Sequence, residues 1–240
     1  MACNKKQGKG LSFELIPRNS YFIDAYQGIE IYRFNDDKKL MDGYFVVGNE
    51  GVKWEEFNVE EGILNGDYIL YHSNGKKFTY SKYKQGKKHG EEKTYYISGA
   101  LKTLKNYSNG VLFGKNTNYF ESGQIQSESK IEKEKIIESI SYDIIGGIQS
   151  QMFIKDGRKI TQNVKLGKIY AEHIVSTYDD FDAMKFYNED GSLKVFIRMF
   201  EENERGYLIE LNENEEEIKR IDIQANPEEI LKYQQYLAPF

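Results

Sequence analysis

The chain has 240 residues and a formal charge of −5, from 33 Lys and Arg against 38 Asp and Glu. Its 39% hydrophobic and 14% aromatic residues suffice for a buried core and are too many for a disordered chain. A single Cys excludes a disulfide framework and a Cys-based zinc site, and no apolar run approaches the roughly 20 residues of a membrane-spanning helix. Nineteen Tyr, fourteen Phe and twenty-one Gly beside three Pro are typical of a β-rich protein with Gly-based turns.

The N-terminal part of the chain falls into two predicted segments. Residues 1–12 are polar, Gly-rich and without periodicity, so they predict a flexible tether. Residues 13–61 predict decayed β units, because the stretch from Gly28 to Leu40 resembles a diverged copy of the units that follow. Deviating terminal units are expected in a repeat array, since they close its exposed ends.

Residues 62–136 carry an internal repeat. The same 24-residue interval separates Gly66, Gly90 and Gly114, then Gly75, Gly99 and Gly123, and again Tyr71, Tyr95 and Tyr119. Three position classes that share one period across three successive units indicate a repeat architecture, in which each unit is one supersecondary element.

Each unit predicts a β-hairpin. Asn74-Gly75 is the dipeptide that best fills the two positive-φ positions of a type I′ turn, so it predicts a two-residue turn between strands. The equivalent dipeptides are Ser98-Gly99 and Ser122-Gly123, and a second set of turns falls at Gln85-Gly86 and Asn109-Gly110. The predicted fold class is therefore mainly β, an elongated antiparallel β-meander of repeated hairpins with a short C-terminal helix.

Strand alternation predicts which side chains share a face. Tyr71, Tyr95 and Tyr119 are expected to form a ladder on one face, each burying much of its ring. Counting in steps of two assigns further residues to this face, namely Tyr83, Leu101, Tyr107, Ile125 and Ile131.

The C-terminal part predicts divergent β units and then a helix. Residues 137–225 are acidic; Gly147 continues the period once, and the stretch from Tyr187 to Gly191 restores its Tyr-Gly spacing out of phase. Residues 226–240 begin with Asn226 as N-cap and Pro227 at the first helical position, followed by two acids. We expect a short helix there, docked on the last strands.

The repeat units resemble a known family. In the second unit the matching residues are Gly90, Tyr95, Tyr96, Gly99, Leu101, Tyr107, Asn109, Gly110 and Gly114. They resemble the MORN-repeat variant of bacterial proteins of the YwqK family, and the match covers about a third of the chain. The resemblance implies a non-enzymatic protein, often an antitoxin or immunity-type partner, while related MORN arrays are discussed as scaffolds and membrane-lipid binders. It carries over no functional residues.

Nothing in the sequence predicts catalysis, a metal or a cofactor. His72, His89 and His173 lack the spacing of metal ligands, and adjacent acids on a strand point to opposite faces. There is no Gly-x-Ser-x-Gly elbow and no lysine-bearing phosphate loop. We therefore expect a non-enzymatic protein, with function in its surface chemistry.

The charge is unevenly distributed along the chain. Residues 72–115 contain ten Lys against two acids, and residues 179–229 contain sixteen acids against six Lys and Arg. The Lys-rich stretch either solvates a sheet face or contacts an anionic surface, through Lys84, Lys87 and Lys88; the absence of Arg favours solvation. The acidic stretch is either a solvated surface or the site for a basic protein partner, through Glu201, Glu202, Glu204, Glu213, Glu215, Glu216 and Glu217.

Cys3 raises the question of location. Ala2-Cys3-Asn4 resembles the junction of a bacterial lipoprotein, in which a small residue precedes a lipidated Cys and a polar tether follows. If an export segment has been removed upstream, Cys3 is a lipidation site and the protein lies in the cell envelope, as a periplasmic or surface lipoprotein. Otherwise the protein is expected in the cytoplasm.

The sequence thus predicts a monomeric, non-catalytic protein-binding module, an immunity- or antitoxin-type inhibitor that occludes a basic toxin. It predicts no nucleic-acid partner, and membrane contact only through an anchor at Cys3. The alternative is a surface-anchored structural or lipid-associating scaffold that uses the Lys-rich repeats.

Overall fold

Pairing between consecutive strands builds this fold, which is mainly β: an antiparallel meander of hairpins that ends in a short helical segment. The computed structural model describes residues 5–8, 11–49 and 51–237, with side chains from residue 13 onward. The chain divides into two units, Met1–Ile136 and Ile137–Phe240.

The first unit contains thirteen strands in its described residues. They are β1 (Lys5–Gly8), β2 (Leu11–Ile16), β3 (Tyr21–Tyr26), β4 (Ile29–Phe34), β5 (Gly43–Asn49), β6 (Val52–Glu60), β7 (Ile63–Tyr71), β8 (Lys77–Lys84), β9 (Lys87–Tyr95), β10 (Leu101–Ser108), β11 (Val111–Leu112), β12 (Gly114–Tyr119) and β13 (Ile125–Glu132).

The second unit begins within β14 and ends in helix. Its elements are β14 (Lys135–Tyr142), β15 (Ile148–Lys155), β16 (Arg158–Lys165), β17 (Lys168–Ser176), β18 (Asp182–Tyr187), β19 (Leu193–Glu202), β20 (Arg205–Leu211), β21 (Glu217–Asp222), α1 (Pro227–Ile230), one 3₁₀ turn (Leu231–Tyr233) and α2 (Gln234–Leu237).

The predicted hairpins of residues 62–136 are present, and no helix interrupts them. Two classes of turn recur between the described strands. The tight turns have two residues, both at positive φ, and lie at 27–28, 61–62, 85–86, 109–110, 133–134, 156–157, 166–167 and 203–204. The wide turns have three residues between a hydrogen-bonded pair and lie at 72–76, 96–100, 120–124, 143–147, 188–192 and 212–216.

The predicted turn type at Asn74-Gly75 is wrong. The His72 N–H donates to the Lys76 carbonyl at 2.8 Å and the Gly75 N–H to the His72 carbonyl at 2.9 Å. Only Gly75 has positive φ, at +80°, so the turn is a three-residue connection with a glycine bulge. The type I′ geometry lies instead at Gln85-Gly86 and its equivalents, where both residues have positive φ.

Residues 5–8 differ from the prediction of a tether over residues 1–12, of which residues 1–4 and 9–10 lie outside the described residues. Residues 5–8 form β1, which pairs with β2 in antiparallel fashion, because backbone pairing requires no side-chain periodicity. Strand β2 pairs with β5 in parallel, with Leu15 opposite Val46. This pair departs from the antiparallel meander, and hairpin β3–β4 forms the crossover between the two strands.

Hairpin β3–β4 covers the core of the first unit. Tyr32, which is 2% exposed, lies with its ring centroid 5.0 Å from that of Phe57, and Tyr21 stacks on Tyr32 at 5.7 Å. The core cluster consists of Ile16, Tyr32, Met41, Phe45, Val47, Phe57, Val59 and Leu64. Gly62, at φ +81°, receives the Tyr32 N–H on its carbonyl, and a Cβ there would lie 2.8 Å from Leu40.

The predicted side-chain faces are partly wrong because of β-bulges. Register places Tyr71, Tyr95 and Tyr119 on one face, the tyrosine face, as predicted from the repeat. Tyr83, Tyr107 and Ile131 lie on the opposite face, where Tyr83 packs against the core, Tyr107 bonds Glu92 and Ile131 is buried. A bulge adds a residue between the directly paired positions, so counting in steps of two fails across it. Such register shifts occur between Leu101 and Thr103, and between Asn118 and Tyr119.

Hydrogen bonds from tyrosine hydroxyls to glutamate carboxylates stabilise both faces of the first unit. Glu55 accepts hydrogen bonds from Tyr21 at 2.7 Å and Tyr68 at 2.6 Å. Glu56, which is 8% exposed, accepts from Tyr71 at 2.6 Å, from Tyr44 and from Lys53. A buried carboxylate is tolerated only when such donors replace its hydration.

The second unit has apolar clusters on both faces of its sheet. One face is covered by the helical segment, through Tyr233, Ile230, Tyr236 and Leu237; Tyr233 donates to Glu210 at 2.6 Å. The side chain of Asn226 makes no capping hydrogen bond, although Pro227 and two acids occupy the first turn as predicted. We call the other face the groove face; its cluster is Ala183, Phe196, Ile209 and Leu211.

A truncation pair tests the division between core and tyrosine face. Phe57→Ala removes a fully buried ring, so we expect a loss of about 3–5 kcal/mol in the free energy of unfolding. Tyr95→Ala removes a half-buried ring outside the clusters and should cost about 1 kcal/mol. Chemical denaturation measures both; equal losses would contradict the assignment of Tyr95 to a face outside the core.

Alkaline pH tests the tyrosine–carboxylate bonds. Burial of Tyr68 is the main cause that raises its pKa, and the negative charge of Glu55 raises it further. Burial likewise raises the pKa of Tyr83 to about 12. A folded-state pKa above the unfolded value stabilises the fold below about pH 10, and this stability is lost as pH rises towards the folded pKa. Denaturation titrations should show a decline from about pH 10 upward that is smaller in Tyr68→Phe.

The matched control is Tyr26→Phe, because Tyr26 is 65% exposed. Its alkaline decline should equal that of the parent. A Tyr68→Phe curve identical to the parent's would refute the role of this hydroxyl.

Candidate functional site

The structure separates the predicted acidic residues into two groups. Glu201, Glu202 and Glu204 lie at the tight turn between β19 and β20, whereas Glu213, Glu215, Glu216 and Glu217 lie in or beside the wide turn between β20 and β21. The seven residues of β20 separate the two turns, a length of about 20 Å. The predicted partner-binding set is therefore divided between two turns, and Arg220 bridges the two groups through Glu202 and Glu217.

Several of these carboxylates are neutralised by arginines. Arg220 binds Glu217 at 2.8 Å and Glu202 at 3.4 Å, and Arg158 binds Glu215. The Arg158 guanidinium lowers the pKa of Glu215, and Arg220 lowers that of Glu217. These carboxylates stabilise the sheet and are less available to a partner.

The unpaired carboxylates gather at one edge of the second unit. Wide turns 188–192 and 212–216 are separated by hairpin β19–β20, so antiparallel topology places them at the same ends of neighbouring strands. Glu189, Asp190, Glu213 and Glu216 are exposed there, and none has a cationic side-chain nitrogen of the described residues within 4.0 Å. We call these four residues the acidic edge.

The electrostatics of Tyr187 agree with the proximity of these turns. The charge of Glu213 contributes to raising the pKa of Tyr187, after burial and the Glu172 hydrogen bond. Tyr187 immediately precedes turn 188–192. The acidic edge is thus a local concentration of negative charge on two adjacent hairpin ends.

Sequence reasoning missed Glu189 and Asp190, although a signal for them exists. Asn188 and Asn212 open the two turns, and each accepts the N–H of the residue three positions later, at 2.9 and 3.0 Å. The spacing between these two asparagines equals the interval of the repeats, which thus returns here. It would have placed both turns at equivalent hairpin ends.

The groove face curves strongly, as one ion pair demonstrates. Arg158 lies at the start of β16 and Glu215 in the turn between β20 and β21. On a flat sheet the four strand steps from β16 to β20 would alone span about 19 Å, and Arg158 lies beside turn 156–157, at the edge opposite to turn 212–216. The ion pair therefore requires the sheet to curl around the groove face, and it holds turn 212–216 over that face. We call the Arg158–Glu215 ion pair the clasp.

Arginines and aromatic rings alternate beneath this clasp. The Arg158 guanidinium carbon lies 4.4 Å from the Phe181 ring centroid, and Arg198 lies 5.3 Å from Phe181 and 5.0 Å from Phe200. Arg220 lies 5.9 Å from Phe200 and 5.3 Å from Tyr207. Cations at these distances from aromatic faces are attracted to the ring quadrupole. This ladder covers apolar surface that has no second layer above it.

Two grooves flank Glu215 on this face. One has a volume of about 360 Å³ and is lined by Lys155, Arg158, Glu172, Lys185 and Glu215, among others. The other has a volume of about 190 Å³ and is lined by Arg198, Phe200, Ile209, Leu211, Glu215, Glu217 and Arg220. Both are lined by acidic and basic side chains, so neither presents a charge of one sign.

The predicted anionic-surface contacts are only partly exposed. Lys84 and Lys87 flank the tight turn at Gln85-Gly86 and point to solvent. Lys88 is half-buried and bonds Glu92, which also accepts from Ser81 at 3.0 Å. Other lysines of the stretch are held by carboxylates or carbonyls, namely Lys76, Lys93 and Lys115.

Two histidines lie next to single oxygen atoms. His72 Nε2 lies 3.0 Å from the Tyr95 carbonyl and His173 Nε2 lies 2.7 Å from Asp182. In the described ranges, no group of three or more His, Cys, Asp and Glu could hold a metal ion. No helix there has the length and apolarity to cross a bilayer. Cys3 lies outside the described residues, so its lipidation stays a prediction.

Comparisons with known proteins identify no family. No family model and no curated protein match the chain. One solved structure that it resembles is the crystal structure of accessory secretory protein 1, 2 and 3 in Streptococcus pneumoniae, with 16% identity and a TM-score of 0.23. The match covers 54% of this chain and 23% of that one, so the chain spans about a quarter of its length.

A double-mutant cycle tests the clasp. Arg158→Gln, Glu215→Gln and the double variant should give a coupling of about 0.5–1 kcal/mol in urea unfolding at neutral pH, the range of partly exposed pairs. Because Arg158 lowers the pKa of Glu215, this stability is present above the unfolded pKa and is lost as pH falls through the folded one.

The control pair is Lys39 and Asp37, whose side chains are 78% and 42% exposed. The same cycle there should show no measurable coupling. Zero coupling between Arg158 and Glu215 would mean that the turn is held across the groove face by other contacts.

Proposed function

We propose that this chain is a non-catalytic protein-binding module that captures a basic protein partner at the acidic edge. The observation that carries the proposal is the gathering of Glu189, Asp190, Glu213 and Glu216 on two adjacent turns, where no side-chain nitrogen of a described Lys, Arg or His lies within 4.0 Å of their carboxylates. One cation is near: Lys168 donates to the Glu189 carbonyl and contributes to lowering the pKa of Asp190, so it offsets part of this negative charge. Neighbouring carboxylates, by contrast, are paired: Glu215 with Arg158 and Glu217 with Arg220.

Unpaired like charges at one edge repel one another, which favours a partner that neutralises them. Such a cluster attracts a cationic protein over a Debye length of about 8 Å at physiological salt, and so raises the association rate. Placement on hairpin turns supports recognition, because turn side chains can vary without disturbing strand pairing.

The class of partner that we propose is a toxin with a basic surface, and the chain is then an immunity- or antitoxin-type inhibitor. The resemblance of the repeats to the YwqK-type MORN variant supports this class. The chain would act by occlusion, since capture at an edge places the bulk of its sheet over the neighbouring surface of the toxin.

The second candidate function is an anionic-surface scaffold. The exposed Lys84 and Lys87 favour it, since they flank a turn and no carboxylate oxygen of the described residues lies within 4.0 Å of their ammonium nitrogens. Lys88 does not add to it, because its ammonium is held by Glu92. Two lysines at one turn supply roughly 2 kcal/mol towards an anionic membrane, which is weak binding on its own.

Charge removal at the two ends of β20 tests the proposal. A partner is first isolated by pull-down from the source cells, and its binding to purified variants is followed kinetically. Glu189→Gln, Asp190→Asn, Glu213→Gln and Glu216→Gln together should lower the association rate about tenfold at low salt, and the difference should shrink as salt rises.

The matched control is Glu201→Gln, Glu202→Gln and Glu204→Gln at the opposite end of β20. This variant should lower the association rate much less. Equal effects of the two sets would show that net charge, and not the acidic edge, steers the encounter.

The scaffold is tested with vesicles of phosphatidylcholine and phosphatidylserine. Binding that is lost in Lys84→Gln with Lys87→Gln, without any protein partner that responds to the acidic edge, would establish the second candidate. Binding to neither surface would reject both functions.

A further inference from the structure

The turn edge of the second unit continues beyond the acidic edge. In an antiparallel meander every second turn lies at the same edge, so turns 143–147 and 166–167 share the edge of turns 188–192 and 212–216. Lys168, at the end of turn 166–167, donates to the Glu189 carbonyl at 2.6 Å. The four turns therefore form one continuous surface strip.

The first two turns of this strip present apolar side chains to solvent. Leu166 is 95% exposed, Ile145 is 88% exposed and Ile144 is 51% exposed. Single exposed apolar residues are common on protein surfaces. Three exposed apolar residues on adjacent turns, next to charged side chains, match the composition of a protein interface, which has an apolar centre and a polar rim.

Leu166 occupies a position that the turn chemistry disfavours. It is the first residue of a tight turn and has φ +52°, where the Cβ of an ordinary residue is strained and Asn or Asp are preferred. The equivalent residues in the other tight turns of the described chain are all polar: Gln27, Glu61, Gln85, Asn109, Lys133, Asp156 and Asn203.

Ile145 likewise differs from the polar residues at the same position of the other wide turns. It is the second residue within a wide turn, and the equivalent residues of the other wide turns are Asn74, Ser98, Ser122, Asp190 and Asn214. Folding therefore explains neither Leu166 nor Ile145. A polar residue at each place would suit the turn and the solvent better.

We propose that Ile144, Ile145 and Leu166 are the apolar anchors of the docking surface, and that the partner is a protein with an apolar pocket beside a basic rim. The inference rests on the proposed function, because the acidic edge supplies the charge complementarity that selects a basic protein. The anchors, by contrast, govern how long the complex lasts: buried apolar contacts act on the dissociation rate, whereas exposed charges act mainly on association.

The test replaces two of the three anchors, Leu166 and Ile145, by residues that their turn classes prefer. The variant Leu166→Asn with Ile145→Ser should unfold at the same temperature as the parent or a higher one, because it relieves strain and removes exposed apolar surface. Its complex with the purified partner from the pull-down should dissociate at least about tenfold faster, with the association rate nearly unchanged.

The matched control is Ile97→Ser, which removes a 58% exposed Ile from a wide turn of the first unit. Its complex should dissociate at the parental rate. Higher stability together with faster dissociation is a combination that a purely structural role for Leu166 and Ile145 does not produce.

Three other results would overturn the inference. An unchanged dissociation rate in the double variant, with association still dependent on the acidic edge, would reject the anchors and leave the proposed function standing. Sedimentation velocity that shows a dimer dissolved by the variant would make a second copy the occupant. Flotation with phosphatidylcholine–phosphatidylserine vesicles that depends on Leu166 and Ile145 would make it a membrane.

The converse result separates the two proposals as well. Faster dissociation of the double variant, without any effect of the acidic-edge substitutions, would retain the apolar anchors. It would reject the basic rim of the partner and with it the charge-based capture.

Discussion

Each unit of this chain has to stabilise a sheet face without a second layer of regular structure. Hairpin β3–β4 covers one face of the first unit, and the helical segment 227–237 covers one face of the second. Elsewhere the sheet side chains must satisfy one another. Tyr71 and Tyr44 donate hydrogen bonds to Glu56, and the Arg198 guanidinium makes cation–π contacts with Phe181 and Phe200. Much of the composition, rich in Tyr and in charged residues, follows from this constraint.

These polar contacts also determine which charges remain available for recognition. Strand positions place acids next to a Tyr, Lys or Arg of a neighbouring strand, as for Glu92 with Lys88 or Glu217 with Arg220. Turn tips have fewer neighbours, so more of their side chains stay without an ion pair, although Glu215 is held by Arg158. The same argument applies to apolar residues: Leu166 has no packing role at its tip, and its cost is conformational as well as hydrophobic. Function is therefore expected at the turns and structure at the strands.

The division between strands, whose side chains stabilise the fold, and turns, whose side chains are free to vary, also explains why the repeat can diverge so far along this chain. Wide turns at 72, 96, 120, 143, 188 and 212 keep the same pair of backbone hydrogen bonds while their side chains change from polar to apolar to acidic. What each turn requires is a residue that tolerates positive φ at its third position. Gly fills it five times, and Glu215, at φ +68°, fills it once while reaching Arg158.

The sequence by itself determined the hairpins, their repeat period and the C-terminal helix, because turn dipeptides and helix-start signals act over a few residues. It also identified the acidic stretch, but grouped Glu201 with Glu213 although β20 holds them about 20 Å apart. Only the tertiary structure decided the parallel pairing of β2 with β5, the cover of hairpin β3–β4 and the clasp of Arg158 on Glu215. These depend on contacts between residues distant in sequence, and on bulges that reverse the alternation of faces; neither leaves a local signal. Which turns share an edge follows from counting strands, and here the 24-residue spacing of Asn188 and Asn212 is a local signal for one such pair.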